Sequence, residues 1–149
     1  MFESLKEYIK MQDWRADIDE KTNEIVFSIR GENGQFMCIA YVEEEQTIFS
    51  FYSVCTVFVS EPKRALFAEF LTRVNYGRII GNFEMDFTDG EIRYKTSLDY
   101  QEINITSTLI SNLIDANIVS MDKAIPSIMG LLYGSLSIEE AVKKMVNID

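Results

Sequence analysis

The chain has 149 residues, about the length of one domain, and 47% of them are hydrophobic, which is ample material for a core. Its 24 acidic and 14 basic residues give a formal net charge of −10, which repels phosphate backbones and argues against nucleic-acid binding. It has no histidine, so the commonest general base, the usual nucleophilic triads and most catalytic zinc sites are excluded.

No apolar run approaches the roughly 20 residues that span a bilayer, and the N-terminus lacks a signal segment. We therefore expect a soluble, cytoplasmic protein without membrane contact, forming a single domain over residues 1–149. Cys38 and Cys55 have no CxxC spacing and are expected to be buried free thiols of a reducing compartment, with a disulfide as the alternative. The acidity favours solubility, and recruitment of a basic partner segment is the alternative.

The first half of the chain predicts one helix and four strands. Phe2, Leu5, Tyr8 and Ile9 follow helical spacing, so residues 2–12 are predicted to form an amphipathic helix. Alternating apolar residues and turn-like interruptions then predict strands at 14–19, 24–30, 35–42 and 47–59. Glu43-Glu44-Glu45 is interpreted as a solvated hairpin tip, because neighbouring strand residues point to opposite sides and make a poor metal site.

A helix is predicted to begin after Ser60, its N-cap, and to end at Asn75-Tyr76-Gly77, with Gly77 in the left-handed conformation. A hairpin follows at 82–98. Asp89-Gly90 is a preferred pair for a two-residue type I′ turn, which would place Thr88 opposite Glu91. This register pairs Phe87 with Ile92, Met85 with Tyr94, Phe83 with Thr96, Asp86 with Arg93 and Glu84 with Lys95.

A long helical region is predicted from Ile105 to Tyr133-Gly134. Pro126 removes a backbone donor and clashes with the preceding turn, so we expect a break near 117–122 or a kink before Pro126. Ser137 is predicted to cap a last helix at 138–146, with Glu140 as its capping-box partner.

The predicted order is α-β-β-β-β-α-β-β-α-α. Runs of strands separated by a single helix favour an α+β fold, an antiparallel sheet packed against helices in a two-layer sandwich. The helical connection between 59 and 79 is also compatible with a crossover.

No motif indicates a reaction, and we expect no catalytic residue, cofactor or metal. The segment from Asp86 to Glu91 resembles a calcium loop only superficially, because it lacks the ligand order and the distant glutamate. Gly77 and Gly81 do not have the spacing of a phosphate-binding loop. Core packing is the favoured interpretation of two further sets, a methionine groove (Met11, Met121, Met129, Met145) and an aromatic site (Trp14, Tyr76, Tyr94, Tyr100).

The stretch NYGRIIGNFEMDFTDGEIRYKTSLD, from Asn75, resembles the YbjN family of bacterial proteins. Further matches are Asn117-x-x-x-Met121-Asp122, Pro126-x-Ile128-Met129 and Leu132-Tyr133-Gly134. The signature residues are Asn75, Tyr76, Gly77, Gly81, Asp89, Gly90 and Pro126. The resemblance implies a regulator of sensory transduction with a fold similar to that of type III secretion chaperones, which are small acidic proteins that bind extended peptides and are often dimeric. It supplies no catalytic residues.

Two functions follow as hypotheses. The first is a non-enzymatic regulatory or chaperone-like module that binds a protein or peptide, by strand addition at a sheet edge, in bacterial signalling or stress response. The alternative is a small-molecule- or metal-binding domain that uses surface carboxylates and tyrosines. A homodimer is compatible with either.

Overall fold

The computed structural model describes residues 1–146 and contains four helices and six strands in the predicted order. The helices are α1 (Phe2–Met11), α2 (Arg64–Asn75), α3 (Ser107–Tyr133) and α4 (Ile138–Val146). The strands are β1 (Ala16–Asp19), β2 (Glu24–Arg30), β3 (Gln35–Glu43), β4 (Ile48–Phe58), β5 (Asn82–Met85) and β6 (Glu91–Asp99). The α+β prediction is confirmed.

The six strands form one antiparallel sheet in the order β1-β2-β3-β4-β6-β5. Strand β6 lies between β4 and β5, so the chain from β4 through α2 to β5 is a crossover over one strand position. Strands β1 and β5 are consequently the two edges of the sheet, each paired on one side with another strand of the described chain.

One face of the sheet carries the core. The register aligns Phe27, Cys38, Ser53, Tyr94 and Phe83 in one row, and all five side chains are buried. The helices cover this face, and the core cluster joins residues from all four of them. The row on the opposite face, from Val26 to Lys95, is half-buried, because no element of the described chain lies over it.

The predicted hairpin register is wrong by two residues. Met85 pairs with Ile92, Glu84 with Arg93 and Phe83 with Tyr94. Asp86 N also donates to Glu91 O at 3.0 Å, so the connection is a four-residue loop, 87–90, rather than a two-residue turn. The carboxylate of Asp86 accepts from Thr88 N at 2.7 Å, and that of Asp89 accepts from Glu91 N at 2.8 Å. These local bonds stabilise the longer loop. A shift of two residues keeps every side chain on its predicted face.

The charge pairs of the hairpin change with the register. Arg93 Nε lies 2.9 Å from a carboxylate oxygen of Glu84, not of Asp86. Lys95 keeps a longer contact with Glu84, at 3.9 Å. Asp86 instead has its pKa lowered mainly by the backbone and side chain of Thr88.

Helix α3 is continuous over 27 residues, so the predicted break at 117–122 is wrong. Pro126 lies inside the helix, with its ring on the exposed side. Burial of the opposite side against the sheet outweighs the lost backbone bond. The helix begins at Ser107 rather than at Ile105. Thr106 is its N-cap, and the Thr106 side chain accepts from Leu109 N at 3.1 Å.

Two helix starts were predicted from capping residues, and they differ in outcome. Ser60 precedes a short 3₁₀ turn and makes no side-chain cap bond, so α2 begins only at Arg64. At α4, Glu140 N donates to Ser137 Oγ at 3.2 Å and Ser137 N donates to the Glu140 carboxylate at 2.8 Å. This capping box is the predicted one, and it lowers the pKa of Glu140.

Candidate functional site

The side chain of Asn75, the last residue of α2, lies against one edge of the sheet. Its Oδ1 accepts from Phe83 N at 2.8 Å, and its Nδ2 donates to Phe83 O at 2.9 Å. A neighbouring strand would use the same pair of backbone groups. The amide of Asn75 thus takes the place of a seventh strand at Phe83 and blocks the β5 edge.

The opposite edge, at β1, is open and lies beside a groove. We call this the edge groove; its cavity measures about 390 Å³. It is lined by α1 and by the start of β1, namely Glu3, Lys6, Glu7, Ile9, Lys10, Asp13, Trp14, Ala16 and Ile18. Its apolar lining residues are Ile9, Trp14, Ala16 and Ile18, and Ile18 keeps 45% of its surface exposed. A strand edge therefore lies next to a groove that combines apolar and charged side chains.

Trp14 forms the inner wall of the edge groove. Its ring stacks on Phe27 at 4.9 Å between centroids and meets the edge of Tyr8 at 6.1 Å. Burial, and then the carboxylate of Asp115, raises the pKa of Tyr8 to about 12, so this phenol stays neutral. Trp14 is the chain's only tryptophan, so its fluorescence reports on this groove.

A second concave surface lies below the loop that joins α2 to β5. We call it the Arg78 cleft; its volume is about 630 Å³. Tyr76 and Ile79 on the loop are 91% and 96% exposed, which is unusual for such large apolar side chains. The guanidinium carbon of Arg78 lies 5.1 Å from the ring centroid of Phe83 and 5.5 Å from that of Tyr94. The cleft combines an arginine with exposed apolar groups.

The signature glycines allow backbone conformations and close contacts that other residues do not. Gly77 and Gly90 both have φ of +87°, and Gly81 has φ of +72°. A Cβ on Gly81 would lie 2.6 Å from Lys95 O, so only glycine fits this close approach. The Tyr94 hydroxyl donates to Ile80 O and holds the same loop. Pro126 lies apart from these residues, on α3.

The two alternative sites considered from the sequence are dispersed in the structure. Of the methionines, Met121 and Met145 are buried in the core while Met11 is exposed on α1. Of the aromatic residues, Tyr94 is fully buried and Tyr76 fully exposed, so no shared aromatic surface forms.

The acids and thiols show no convergence on a metal site. Within residues 1–146, no group of three or more acidic or cysteine side chains is placed to hold an ion. Glu44 and Glu45 lie in the turn between β3 and β4, as the hairpin-tip interpretation predicts. Both cysteines are free and buried. Burial raises the pKa of the Cys38 thiol to about 12, and it also raises the pKa of the Cys55 thiol. Neither thiol is activated as a nucleophile.

Comparison with known proteins identifies the family. The model of the YbjN family, described as "Putative bacterial sensory transduction regulator", matches residues 2–129. The chain belongs to the YbjN family. A search of curated proteins found no match.

A solved structure shares the fold. The crystal structure of YbjN from E. coli, described as a "putative transcription regulator", superposes with a TM-score of 0.57. The likeness covers 98% of this chain and 89% of that chain at 8% sequence identity, so it shows the fold alone. No helix within residues 1–146 is both long and apolar enough to cross a membrane.

Sequence reasoning missed both surfaces. The β1 edge depends on strand order, which a single sequence does not show. Arg78 had one available signal: it directly precedes the apolar pair Ile79-Ile80 in a segment already predicted to be a loop.

Proposed function

We propose that this YbjN-family protein is a non-enzymatic regulatory module that binds an extended segment of another protein as an added strand on β1. The observation that carries the proposal is the asymmetry of the two sheet edges. The Asn75 amide blocks β5, whereas β1 is open and lies beside the edge groove. Strand addition uses such an edge for affinity and an adjacent pocket for specificity.

The charges around β1 define the chemistry of the partner segment. Asp17 and Asp19 point to the sheet face away from α1, and Asp19 pairs with Glu24 of β2. The bases Arg15 and Lys21 are outnumbered by the acids within residues 15–24. Lys6 is already paired with Glu3 at 2.6 Å and Glu20 at 2.8 Å. Since side chains alternate along a strand, the favoured segment carries apolar residues toward the groove and basic residues toward the aspartates.

The same charges disfavour a homodimer formed through β1. Antiparallel pairing of two β1 strands would bring the aspartates of both copies together, and like charges opposite each other on a sheet are destabilising. A basic partner segment therefore fits this edge better than a second copy does. Two buried free thiols also fit the reducing cytoplasm as the location.

Titration with defined peptides tests the proposal. A seven-residue peptide of alternating valine and lysine is expected to bind saturably and to change the emission of Trp14. Its valine–glutamate counterpart is expected to bind at least about ten-fold more weakly, because its charges repel Asp17 and Asp19. N-methylation of alternate peptide amides should also weaken binding, since it removes the donors that pair with the β1 backbone.

Two variants locate the interaction. Ile18→Lys places a charge among the apolar residues that line the edge groove, at a partly exposed position. It is expected to reduce affinity for the lysine peptide by about ten-fold or more. Asp17→Lys should reverse the preference toward the glutamate peptide. The matched control is Ile79→Lys, which adds the same charge on an exposed apolar residue remote from β1. Equal affinity of both peptides, or equal loss in the control, would overturn the proposal.

A further inference from the structure

The Arg78 cleft has the size and walls of a small-molecule site. Its volume of about 630 Å³ falls within the usual range of roughly 300–1,000 Å³. Its walls are mostly apolar and come from α2, α3 and α4, including Val74, Ala116, Val119 and Met145. Among its described lining residues, Arg78 alone carries a charge.

Within residues 1–146, Arg78 is held in place without an anionic partner. Its guanidinium lies against Phe83 and Tyr94, and Nη1 donates to Ser120 Oγ at 3.4 Å. Its Nε is shielded from solvent and has no acceptor within residues 1–146. No carboxylate of that part of the chain lies within 4.0 Å of it. Acidic residues outnumber basic ones by 24 to 14 in the sequence, so an arginine without a carboxylate partner among residues 1–146 is unexpected.

We propose that the Arg78 cleft binds a small organic carboxylate with an apolar chain. The carboxylate would pair with the guanidinium, whose planar donors match its two oxygens. The chain would lie along Val119 and Met145 and beneath Ile79. The resulting complex would cover the exposed apolar groups of the loop and neutralise the charge of Arg78. This site is separate from the edge groove and does not depend on the peptide proposal.

Calorimetric titration with octanoate tests the charge requirement. Octanoate is expected to bind saturably at one site, whereas 1-octanol and octylammonium should bind about 10- to 100-fold more weakly, since both lack the charge-assisted bond. Arg78→Gln should cause the same loss for octanoate. The Nε–Hε signal of Arg78 in ¹⁵N correlation spectra should shift on octanoate addition and stay unchanged with octylammonium.

A second variant protects the test against misfolding of Arg78→Gln. Val119→Asp adds a repelling carboxylate to a half-exposed wall position and leaves Arg78 in place, so octanoate binding should again be lost. Ile103→Asp, which adds the same carboxylate at a half-exposed apolar residue outside both surfaces, is the control and should bind octanoate normally.

Three results would overturn the inference. They are no saturable octanoate binding, equal binding of octylammonium, and unchanged affinity in Val119→Asp. Binding restricted to a peptide with a free C-terminal carboxylate, lost on amidation, would also contradict it, because the ligand would then be a protein terminus.

Discussion

At the scale of single residues, polar side chains that carry the family resemblance bond to backbone groups that are distant in sequence. Asn117 Nδ2 donates to Phe51 O at 2.9 Å, across 66 residues of chain, and to Tyr94 O at 3.1 Å. Asp122 accepts from Asn33 N at 2.9 Å and fixes the loop between β2 and β3. The sequence shows these residues but not their partners, because the contacts exist only after the helix docks on the sheet.

Asn117 is expected to be among the costliest residues to replace. It is fully buried on α3, so Asn117→Ala leaves a cavity and strands carbonyl oxygens of two strands. We expect its free energy of unfolding to fall by about 2–4 kcal/mol, measured by urea denaturation. Asn104→Ala, at an exposed position, is the control and should stay within about 0.5 kcal/mol of the wild type. A similarly small change for Asn117→Ala would contradict the role assigned to this residue.

The acid variant Asn117→Asp adds a pH dependence with a defined sign. Burial beside carbonyl oxygens raises the folded-state pKa of the new carboxyl above its unfolded value of about 3.9. Stability should therefore fall as pH rises above about 4, whereas Asn117→Ala should show no such added slope. Denaturation at pH 4 and pH 7 distinguishes the two variants.

Gly77 and Gly90 form a natural comparison, because both have φ of +87° but differ in the space around them. No heavy atom lies within 4 Å of a Cβ added at Gly77, whereas one added at Gly90 lies 2.0 Å from Val59 O. Gly77→Ala should cost about 1–2 kcal/mol from backbone strain alone. Gly90→Ala should cost roughly 1–3 kcal/mol more from the clash. Equal losses in thermal denaturation would mean that the clash is relieved without cost.

At the scale of elements, sequence patterns predicted most structure because the determinants are local. The capping box of α4 and strand β2 occur where the sequence places them. The predicted register of the 82–98 hairpin is wrong because Asp-Gly is compatible with two loop lengths. The side chains of Asp86 and Asp89 stabilise the longer loop. The break predicted at 117–122 is absent, because burial of the face of α3, a tertiary effect, outweighs the local cost of Pro126.

Pro126 should accordingly be replaceable with a gain in stability. It lies inside α3 on the exposed side, and proline in a helix interior costs about 3 kcal/mol relative to alanine. Its restriction of the unfolded chain returns about 0.4–1 kcal/mol. Pro126→Ala is therefore expected to raise the free energy of unfolding by about 2–2.6 kcal/mol in urea, with exposed Lys123→Ala as the control. A loss of stability would show that the proline ring makes a favourable contact.

At the scale of the whole molecule, the two candidate binding surfaces follow from strand order. Insertion of β6 between β4 and β5 sends β5 to one edge and leaves β1 at the other. Pairing of β4 with β6 joins residues far apart in the chain, for example Phe51 with Thr96, and no local pattern specifies it. For this reason the edge groove and the Arg78 cleft could not be predicted from the sequence, although the family and the α+β class could.

Removal of the Asn75 amide should leave β5 as a second unpaired strand edge. Asn75→Ala frees the N–H and C=O of Phe83, and unpaired strand edges promote association between chains. The net charge of −10 opposes association at low ionic strength, where the screening length is long. At 1 M salt that length falls to about 3 Å, so the repulsion should no longer hold the chains apart.

We therefore expect Asn75→Ala to form larger species than the wild type in 1 M NaCl, and to differ less from it in 50 mM NaCl, by size exclusion with light scattering. Thr72→Ala is the matched control, because within residues 1–146 the Thr72 hydroxyl bonds only to Ala68 O of its own helix, at 2.7 Å. Equal masses for Asn75→Ala and the wild type at both salt concentrations would mean that α2 itself, rather than the amide, shields β5. The edge asymmetry on which the β1 proposal depends would then need another explanation.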